Sequence, residues 1–273
     1  MRIASLQPPY PATATPDAAR ACLDWMDGRL SSLEPDTTDF VLLPEYTNTP
    51  GLEDRREIRH FARGPGAEFL QRVASHAGRL KSRIALAALV ETPSGWVNRG
   101  LVFDAGGKED CCYDKIHLTD VELDALGITA GTRPSVFECD GIRLAFAICF
   151  DVYFPEYFSA LARQKVDLVL CPSYQRSETA ERIRLTCRCR ALDTGTYLIR
   201  SSYAVGRSDV AGRSLVASPE GDLMADAGSQ PGVIKTEIDP ARKFVKPASH
   251  GQPDVEHGEL IDRHRKPECY GKL

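Results

Sequence analysis

The sequence predicts a mixed α/β fold in which two β-sheets carry helices on their outer faces. Several short runs of apolar residues, such as 144–148 and 166–171, are typical of strands that are buried on both faces. The order strand, helix, strand, helix and paired strands occurs twice, from residue 2 to 104 and from about 142 to 226. Because wholly apolar strands need cover on both sides, this repeat predicts two sheets in a layered arrangement.

The elements of the first block follow from periodicity and from the positions of proline. Thr15 fits an N-cap, Pro16 fits the first helical position, and apolar residues then recur at helical spacing. Residues 46–64 are polar and rich in Arg and Asp, and they predict a long loop with about one helical turn. The other elements of this block are predicted strands at 2–7, 39–44, 83–91, 96–104 and 111–115 and a helix over 66–82.

The second block begins after a predicted loop at 116–134. A hairpin is predicted around Asp140-Gly141, a favoured two-residue turn. Pro155 suits the first turn of a helix, and a basic helix is predicted from Ser177, as its cap, to Asp193. The remaining predicted elements are strands at 166–171, 196–203, 213–217, 223–226 and 233–238 and a short helix from Asp239-Pro240.

No repeat-rich or low-complexity linker divides the chain. We therefore expect a single domain over residues 1–273. The segment from about residue 246 is polar and contains three prolines, so it predicts an extended C-terminal tail.

The composition excludes several classes of function. Apolar residues make up 42% of the chain and charged residues 26%, and the formal net charge is −4. These values give no reason to expect a nucleic acid or an anionic membrane as partner. No apolar run approaches the length of a transmembrane helix, and the first residues are too few and too polar for a signal peptide. We therefore expect a soluble, cytoplasmic protein.

The cysteines do not predict a disulfide framework or a metal centre. Their number, nine, is odd, and most lie inside apolar segments, which favours reduced thiols. Cys111-Cys112 and Cys187-Arg-Cys189 lack the spacing of metal ligands, and no histidine cluster accompanies them. The glycine-rich dinucleotide motif, the phosphate-binding loop and the His-Glu-x-x-His motif do not occur. We expect neither a metal nor a cofactor.

Three reactive side chains each follow the end of a predicted strand. Glu45 follows 40–44, Lys115 follows 111–114, and Cys149 follows the apolar run that ends at Ile148. In α/β folds such strand ends gather in one cleft. A carboxylate can take the thiol proton and an ammonium can lower the thiol pKa and stabilise an oxyanion. The three groups together favour acyl transfer through a cysteine nucleophile.

Three motifs of the chain resemble those of the nitrilase, or carbon–nitrogen hydrolase, superfamily. They are Leu43-Pro-Glu45, Asp114-Lys-Ile-His-Leu118 and Cys149-Phe-Asp-Val-Tyr-Phe-Pro-Glu156, and they occur in the order and at about the spacing of the family. Ile3-Ala-Ser-Leu-Gln7 and Arg188-Cys-Arg-Ala-Leu-Asp193 also resemble family blocks, so the resemblance spans nearly the whole chain. It implies a four-layer α-β-β-α sandwich of two mixed sheets, usually paired into a homodimer or a higher homo-oligomer.

The resemblance also implies roles for individual residues. Glu45 is expected to act as general base, Lys115 as oxyanion stabiliser and Cys149 as nucleophile, with the backbone N–H of Phe150 as second oxyanion donor. The family has a further glutamate between the lysine and the cysteine. Glu122 fits that place best, and Asp124 is the alternative.

Three other side chains near these motifs are candidates for catalysis or substrate binding. His117 suggests a Cys–His dyad, but its place two residues after Lys115 in the family block favours a structural imidazole. Tyr174 and Arg176 follow the strand that ends at 171–172, where the family's loop lines the substrate pocket. The planar fork of Arg176 suits a substrate carboxylate.

The expected function is hydrolysis of a non-peptide carbon–nitrogen bond through a cysteine thioester. Amide or N-carbamoyl (ureido) substrates are favoured, with water as the second reactant. Nitrile hydrolysis, acyl transfer to another amine by the same site, and a non-catalytic binding or regulatory homologue stay open as alternatives.

Overall fold

The structure, a computed structural model, describes residues 1–269, and the last four residues of the predicted domain and tail lie outside them. The strands are β1 Arg2–Gln7, β2 Phe40–Leu42, β3 Arg83–Thr92, β4 Gly95–Phe103, β5 Glu109–Asp114, β6 Val136–Cys139, β7 Ile142–Phe146, β8 Leu168–Pro172, β9 Tyr197–Ser201, β10 Leu215–Ala217, β11 Leu223–Asp226, β12 Gly232–Glu237, β13 Val245–Pro247 and β14 Asp254–Glu256. The α-helices are α1 Pro16–Ser31, α2 Arg55–Arg63, α3 Pro65–Leu80, α4 Pro155–Arg163, α5 Ala180–Thr194 and α6 His257–His264. Short helical turns occupy Val121–Ala125, Cys149–Tyr153 and Pro267–Cys269.

Two mixed six-stranded sheets form the centre of the molecule. The first has the order β12-β1-β2-β3-β4-β5, and the second has the order β11-β10-β9-β8-β7-β6. Each sheet has three parallel strands at its centre, which are β1, β2 and β3 in the first sheet and β7, β8 and β9 in the second. The strands on either side of these three pair with them in antiparallel fashion. The two sheets therefore have the same pattern of directions, as the repeated order of elements predicts.

The two faces of each central strand pack against different neighbours. In β2, Phe40 and Leu42 point into the core between the sheets, whereas Val41 belongs to the core beneath the helices of the first sheet. Gly100 of β4 lets the second sheet approach closely, because a Cβ atom there would lie 2.8 Å from the ring of Phe146. Helices α1 and α3 cover the first sheet, and α4 and α5 cover the second. The predicted four-layer α-β-β-α sandwich of two mixed sheets is confirmed.

The helices differ from the sequence predictions at three places. Residues 55–63, predicted as part of a loop with about one helical turn, form the nine-residue helix α2, which Asp54 caps by accepting hydrogen bonds from the N–H groups of Arg56 and Glu57. The cap of α5 is Thr179 and not Ser177, since the Thr179 hydroxyl accepts the N–H of Arg182. Residues 239–241 form a turn and not a helix. The predicted cap of α1, Thr15, does accept the N–H of Ala18.

The tail contains regular structure that the sequence analysis did not predict. Strands β13 and β14 pair as a small hairpin, and α6 follows directly. Lys165 of the main body forms an ion pair of 3.1 Å with Asp262 of α6.

None of the helices within residues 1–269 is long and apolar enough to cross a membrane. The nine cysteines all lie within these residues, and each of them is free.

Candidate active site

The three predicted catalytic side chains meet at one end of the sandwich. Glu45 follows β2 and Lys115 follows β5 in the first sheet, whereas Cys149 follows β7 in the second. All three line one cavity of about 420 Å³. The site therefore lies where strand ends from both sheets converge.

Lys115 is the centre of a buried cluster of charges. Its Nζ lies 2.7 Å from Oε1 of Glu45 and 2.9 Å from both carboxylate oxygens of Glu122. The side chains of Lys115 and Glu45 are each only 1% exposed. One ammonium thus neutralises one of two carboxylates, and the cluster keeps a net charge of about −1 when all three groups are ionised.

Glu122 is held more firmly than any other carboxylate of the cavity. It sits on the π-helical turn Val121–Ala125 and is buried. It accepts hydrogen bonds from the side chains of Tyr46, Asn98, Lys115 and Thr119 and from the backbone N–H of Thr119. Asp124, the alternative for this position, lies on the exposed face of the same turn. Glu122 is therefore the carboxylate that the fold brings to Lys115.

Asn98 and Tyr46 belong to the site, and the sequence analysis missed both. Asn98 Nδ2 donates to Oε1 of Glu45 at 2.8 Å and to Oε1 of Glu122 at 2.9 Å. An asparagine inside an apolar strand, here β4, is unfavourable and was the available signal. Tyr46 donates its hydroxyl to Glu122, and burial, followed by the charges of Glu122 and Glu45, raises its pKa well above the usual range. The phenol therefore keeps its proton and acts as a donor.

Cys149 occupies a strained turn between β7 and the short helix Cys149–Tyr153. Its φ is +47°, in the left-handed region that non-glycine residues seldom adopt. Asp151 fixes the turn by accepting the N–H of Ile148 at 2.8 Å. The N–H of Phe150 belongs to the first turn of the short helix, where amides have no acceptor within the helix. The thiol lines the same cavity as Glu45, and the two groups influence each other's pKa.

The two glutamates that share Lys115 differ in acidity. Burial raises the pKa of Glu45, and the charge of Glu122 raises it further, against the lowering effect of Lys115. Burial also acts on Glu122, but Lys115 and the hydrogen bonds from Thr119 and Asn98 outweigh it, so the pKa of Glu122 is lowered. Burial alone would lower the pKa of Lys115, yet the two carboxylates more than offset it and the net shift is upward. Glu45 is the better proton acceptor and Lys115 keeps its charge.

The resting state of Cys149 is the thiol. Burial raises its pKa well above the usual range, and the neighbouring charge of Glu45 raises it further. Lys115 lowers the pKa, as predicted, but by less than these two effects raise it. The sequence analysis expected a thiol pKa lowered by the ammonium and did not include desolvation, which is the larger effect here. The thiol of Cys149 therefore keeps its proton at neutral pH.

His117 is bound to Asp151, and this contact fixes its place in the fold. Its Nδ1 lies 2.7 Å from Oδ1 of Asp151, a carboxylate that is fully buried. The imidazole also stacks on the ring of Phe154, with centroids 3.8 Å apart. These contacts support the structural role that the sequence analysis favoured for His117.

Tyr174 and Arg176 line the outer part of the same cavity, together with Glu53. Nη1 of Arg176 lies 2.9 Å from Oε1 of Glu53 and 3.0 Å from the hydroxyl of Tyr10. The guanidinium lies over the Tyr174 ring, 4.9 Å from its centroid. Apolar side chains cover the rest of the wall: Leu52, Ile58, Val121 and Leu126. The cavity thus has a charged inner end, apolar walls and a second charged pair at its outer end.

The arrangement provides the groups that acyl transfer requires. Within residues 1–269 no group of three or more His, Cys, Asp or Glu side chains is placed to hold a metal ion. A thiol, a carboxylate base with a raised pKa and an ammonium that stays charged are the groups required for nucleophilic attack on a carbonyl carbon.

Comparison with known proteins identifies the class to which this fold and site belong. The chain is a member of the carbon-nitrogen hydrolase family, whose model matches residues 2–243. A hydrolase from Mycobacterium tuberculosis is 32% identical over 221 residues, which cover 73% of this chain and 77% of that protein. An omega-amidase from Xenopus tropicalis is 30% identical over 213 residues, covering 73% and 76%. An amidase from Nesterenkonia sp. has the same fold, with a TM-score of 0.73 at 22% identity over 98% of this chain and 94% of that one.

Proposed function

We propose that the protein is an amidase that hydrolyses a small-molecule amide through a thioester on Cys149. The observation that carries the proposal is the buried contact of Lys115 Nζ with both Glu45 and Glu122 beside the thiol. In this mechanism Glu45 is the general base, Lys115 and the N–H of Phe150 stabilise the oxyanion, and Glu122 positions Lys115.

The first half of the reaction acylates the enzyme. Glu45 takes the proton of the Cys149 thiol while Sγ attacks the amide carbon, so an S–C bond forms and the carbonyl π bond breaks. The negative charge on oxygen is stabilised by Lys115 and by the N–H of Phe150. When the oxyanion collapses, the C–N bond breaks and Glu45 donates its proton to the leaving nitrogen, which departs as ammonia. The product of this half is the thioester.

The second half of the reaction uses water. Glu45, again ionised, takes a proton from a water molecule whose oxygen attacks the thioester carbon. The second oxyanion collapses with cleavage of the C–S bond, and the thiolate recovers its proton from Glu45. One amide and one water thus become one carboxylic acid and one ammonia.

The charges of the cluster explain why a base beside a lysine can work. Proton transfer from Cys149 to Glu45 moves a negative charge from one atom to another and leaves the net charge of the cavity unchanged. Lys115 lies beside both positions of that charge, and Glu122 keeps the ammonium in place throughout. The barrier is therefore not increased by creating a new buried charge.

An amide that carries a carboxylate group can contact Arg176 at the outer end of the cavity. Arg176 offers a guanidinium fork to a substrate carboxylate, and Tyr174 supports it from below. The relative named as an omega-amidase is compatible with a substrate of this kind. N-carbamoyl compounds present the same C–N bond to the thiol and form a second group to be tested.

The proposal is tested by intact-protein mass spectrometry after mixing with substrate and quenching in acid. Wild-type protein should carry an acyl adduct from an amide, and Cys149→Ala should carry none and lose turnover by about 10⁴-fold or more. Cys112→Ala is the matched control, because Cys112 is exposed and does not line the cavity. A panel of amides, ureido acids and nitriles defines the bond that is cleaved. Full turnover in Cys149→Ala would refute the mechanism.

The expected homodimer is part of the same proposal. Leu185 and Leu192 lie on the outer face of α5 and are 59% and 37% exposed. They support pairing through this helical layer, since exposed leucines on one helix face favour burial by a partner. Light scattering should give twice the mass of one chain, and Leu185→Glu should give the mass of one chain. A monomeric wild type would contradict the pairing.

A further inference from the structure

The outer end of the cavity carries a pair of opposite charges. Arg176 Nη1 and Glu53 Oε1 lie 2.9 Å apart, and both residues line the cavity that contains Cys149. A substrate that places its amide carbon at Cys149 therefore extends towards two neighbouring groups. Glu53 can accept hydrogen bonds from an ammonium, and Arg176 can donate hydrogen bonds to a carboxylate. The proposed function uses only Arg176 of this pair.

Each member of the pair has unused hydrogen-bonding capacity. Glu53 uses Oε1 alone, and Arg176 uses Nη1 alone, for Glu53 and for Tyr10. Within residues 1–269 the Nε and Nη2 groups of Arg176 and Oε2 of Glu53 have no hydrogen-bond partner. The two side chains are 43% and 63% exposed, and an ion pair with this exposure contributes little to stability. A ligand can therefore separate the two charges or insert beside them at low cost.

The guanidinium of Arg176 is positioned by the surrounding tyrosines. The hydroxyl of Tyr174 accepts the N–H of Gly51 at 2.9 Å, which ties the ring beneath Arg176 to the segment that carries Glu53. Tyr10 contacts Tyr174 and Arg176 through its own hydroxyl at 3.1 Å and 3.0 Å. Arg176 is thus presented on a platform of tyrosines, and Glu53 is positioned beside it by their mutual contact.

We propose that Glu53 and Arg176 together select an amide whose far carbon carries both an ammonium and a carboxylate, as in the ω-amide of an α-amino acid. The substrate carboxylate binds the free edge of the guanidinium, and the substrate ammonium binds the free oxygen of Glu53. An amide with a carboxylate alone meets the like charge of Glu53, and an uncharged amide uses neither group. This inference rests on the proposed amidase function and adds a specificity-determining residue, Glu53.

Three compounds that share a four-carbon amide chain test the inference. Butanamide is uncharged, glutaramate adds a carboxylate to its last carbon, and glutamine adds an ammonium beside that carboxylate. Their binding to Cys149→Ala, measured by titration calorimetry, does not require turnover. Glutamine should bind about five- to tenfold more tightly than glutaramate, in line with one additional partly exposed charge pair. Cys149→Ser replaces the alanine variant if that variant does not fold.

Removal of the Glu53 charge gives results of opposite sign for the two charged ligands. In the Cys149→Ala background, Glu53→Gln should weaken glutamine about fivefold and strengthen glutaramate, because the attraction for the ammonium and the repulsion of the lone carboxylate both disappear. Arg176→Gln should weaken both. Glu34→Gln, which removes the same charge outside the cavity, is the matched control and should change neither. If Glu53→Gln changed the affinities for glutamine and glutaramate in the same direction, the inference would be overturned.

Failure of this inference and failure of the proposed function give different results. If glutamine shows the expected binding pattern but no amide acylates Cys149, the proposed chemistry is wrong and the ligand class stands. If butanamide or glutaramate acylates Cys149 while glutamine binds no more tightly than glutaramate, the amidase function stands and the role of Glu53 is wrong. The ratio of kcat/KM for glutamine to that for glutaramate in wild-type protein provides the same comparison during turnover.

Discussion

His117 Nδ1 lies 2.7 Å from Oδ1 of Asp151, so the only histidine of the three sequence motifs is bound to a buried carboxylate. Asp151 in turn accepts the N–H of Ile148, the residue before Cys149, and the hydroxyl of Tyr113. The pair therefore supports the strained turn that carries the thiol. In the proposed mechanism His117 therefore has a structural role and Glu45 is the base.

His117→Gln should keep most of the activity. A glutamine amide can still donate to Asp151, so we expect kcat to fall by no more than about tenfold, whereas loss of a true general base costs about 10²–10⁴-fold. Steady-state kinetics with an amide and acid-quench mass spectrometry of the acyl adduct measure both values. Glu45→Gln is the comparison variant, and an equal loss in the two variants would contradict the assignment.

Glu45→Gln and Glu122→Gln should change stability in opposite directions. The pKa of Glu45 is raised in the folded state, so ionised Glu45 costs stability above the unfolded value of about 4.5, and the neutral amide removes that cost. We expect Glu45→Gln to gain about 1 kcal/mol at pH 7, roughly 3 °C in Tm. The gain should vanish below about pH 4, where the carboxyl is protonated in both states.

Glu122 has the opposite linkage. Its folded-state pKa is lowered, so the stability it contributes is present above the unfolded value and is lost as the pH falls through the folded value. Glu122→Gln should therefore lose about 3 kcal/mol at pH 7, measured by urea unfolding. Asp124→Asn, on the exposed face of the same turn, is the matched control and should stay within about 0.5 kcal/mol of wild type. Equal effects of the two substitutions would contradict the assignment of Glu122.

Cys149 should show no thiolate absorbance at 240 nm in the pH range where an ordinary cysteine ionises, about pH 8.5. The pKa of this thiol is raised by burial and by the charge of Glu45. When the absorbance difference at 240 nm between wild type and Cys149→Ala is plotted against pH, its rise should therefore lie above that range. Glu45→Gln removes the neighbouring negative charge and should move the step to lower pH. A wild-type step below about pH 8 would show a preformed thiolate and refute the concerted proton transfer.

Asn98→Ala should reduce both stability and activity. Its single Nδ2 group donates to Glu45 and Glu122, and its loss leaves two buried carboxylates with one donor fewer each. A cost of about 1–3 kcal/mol is expected in urea unfolding. Because Asn98 lowers the pKa of Glu122, acid unfolding of the variant should begin at higher pH than in wild type. An unchanged acid transition would show that the contact has no energetic role.

The strand ends that carry the proposed catalytic residues could be predicted from the sequence because their signals are local. Glu45 and Cys149 each follow an apolar run, Lys115 follows the segment 111–114, and each of these segments contains a strand in the structure. The hairpin at Asp140-Gly141 was equally predictable, and both residues have positive φ there, 50° and 77°. A pattern within a few residues was sufficient in each case.

The features that could not be predicted depend on contacts between distant parts of the chain. Asn98 is 53 positions from Glu45, and no local pattern joins them. The acidity of Cys149 depends on burial by the whole cavity, which no motif records. Helix α2 was hidden by its many charges, although Asp54 and the spacing of the buried Ile58 and Phe61 are the signals of a capped amphipathic helix.

The close contact of Gly100 with Phe146 has a consequence for how activity depends on the state of the fold. Glu45 and Lys115 are anchored in one sheet and Cys149 in the other, and Tyr203 of the second half bonds the backbone of Glu45 at 3.0 Å. A slip of one sheet along the other would separate Glu45 and Lys115 from Cys149 while every helix stays intact. Under gradual denaturation we therefore expect turnover to be lost before the far-ultraviolet signal. Neither half of the duplicated architecture holds all three side chains, and the candidate site lies where the halves meet.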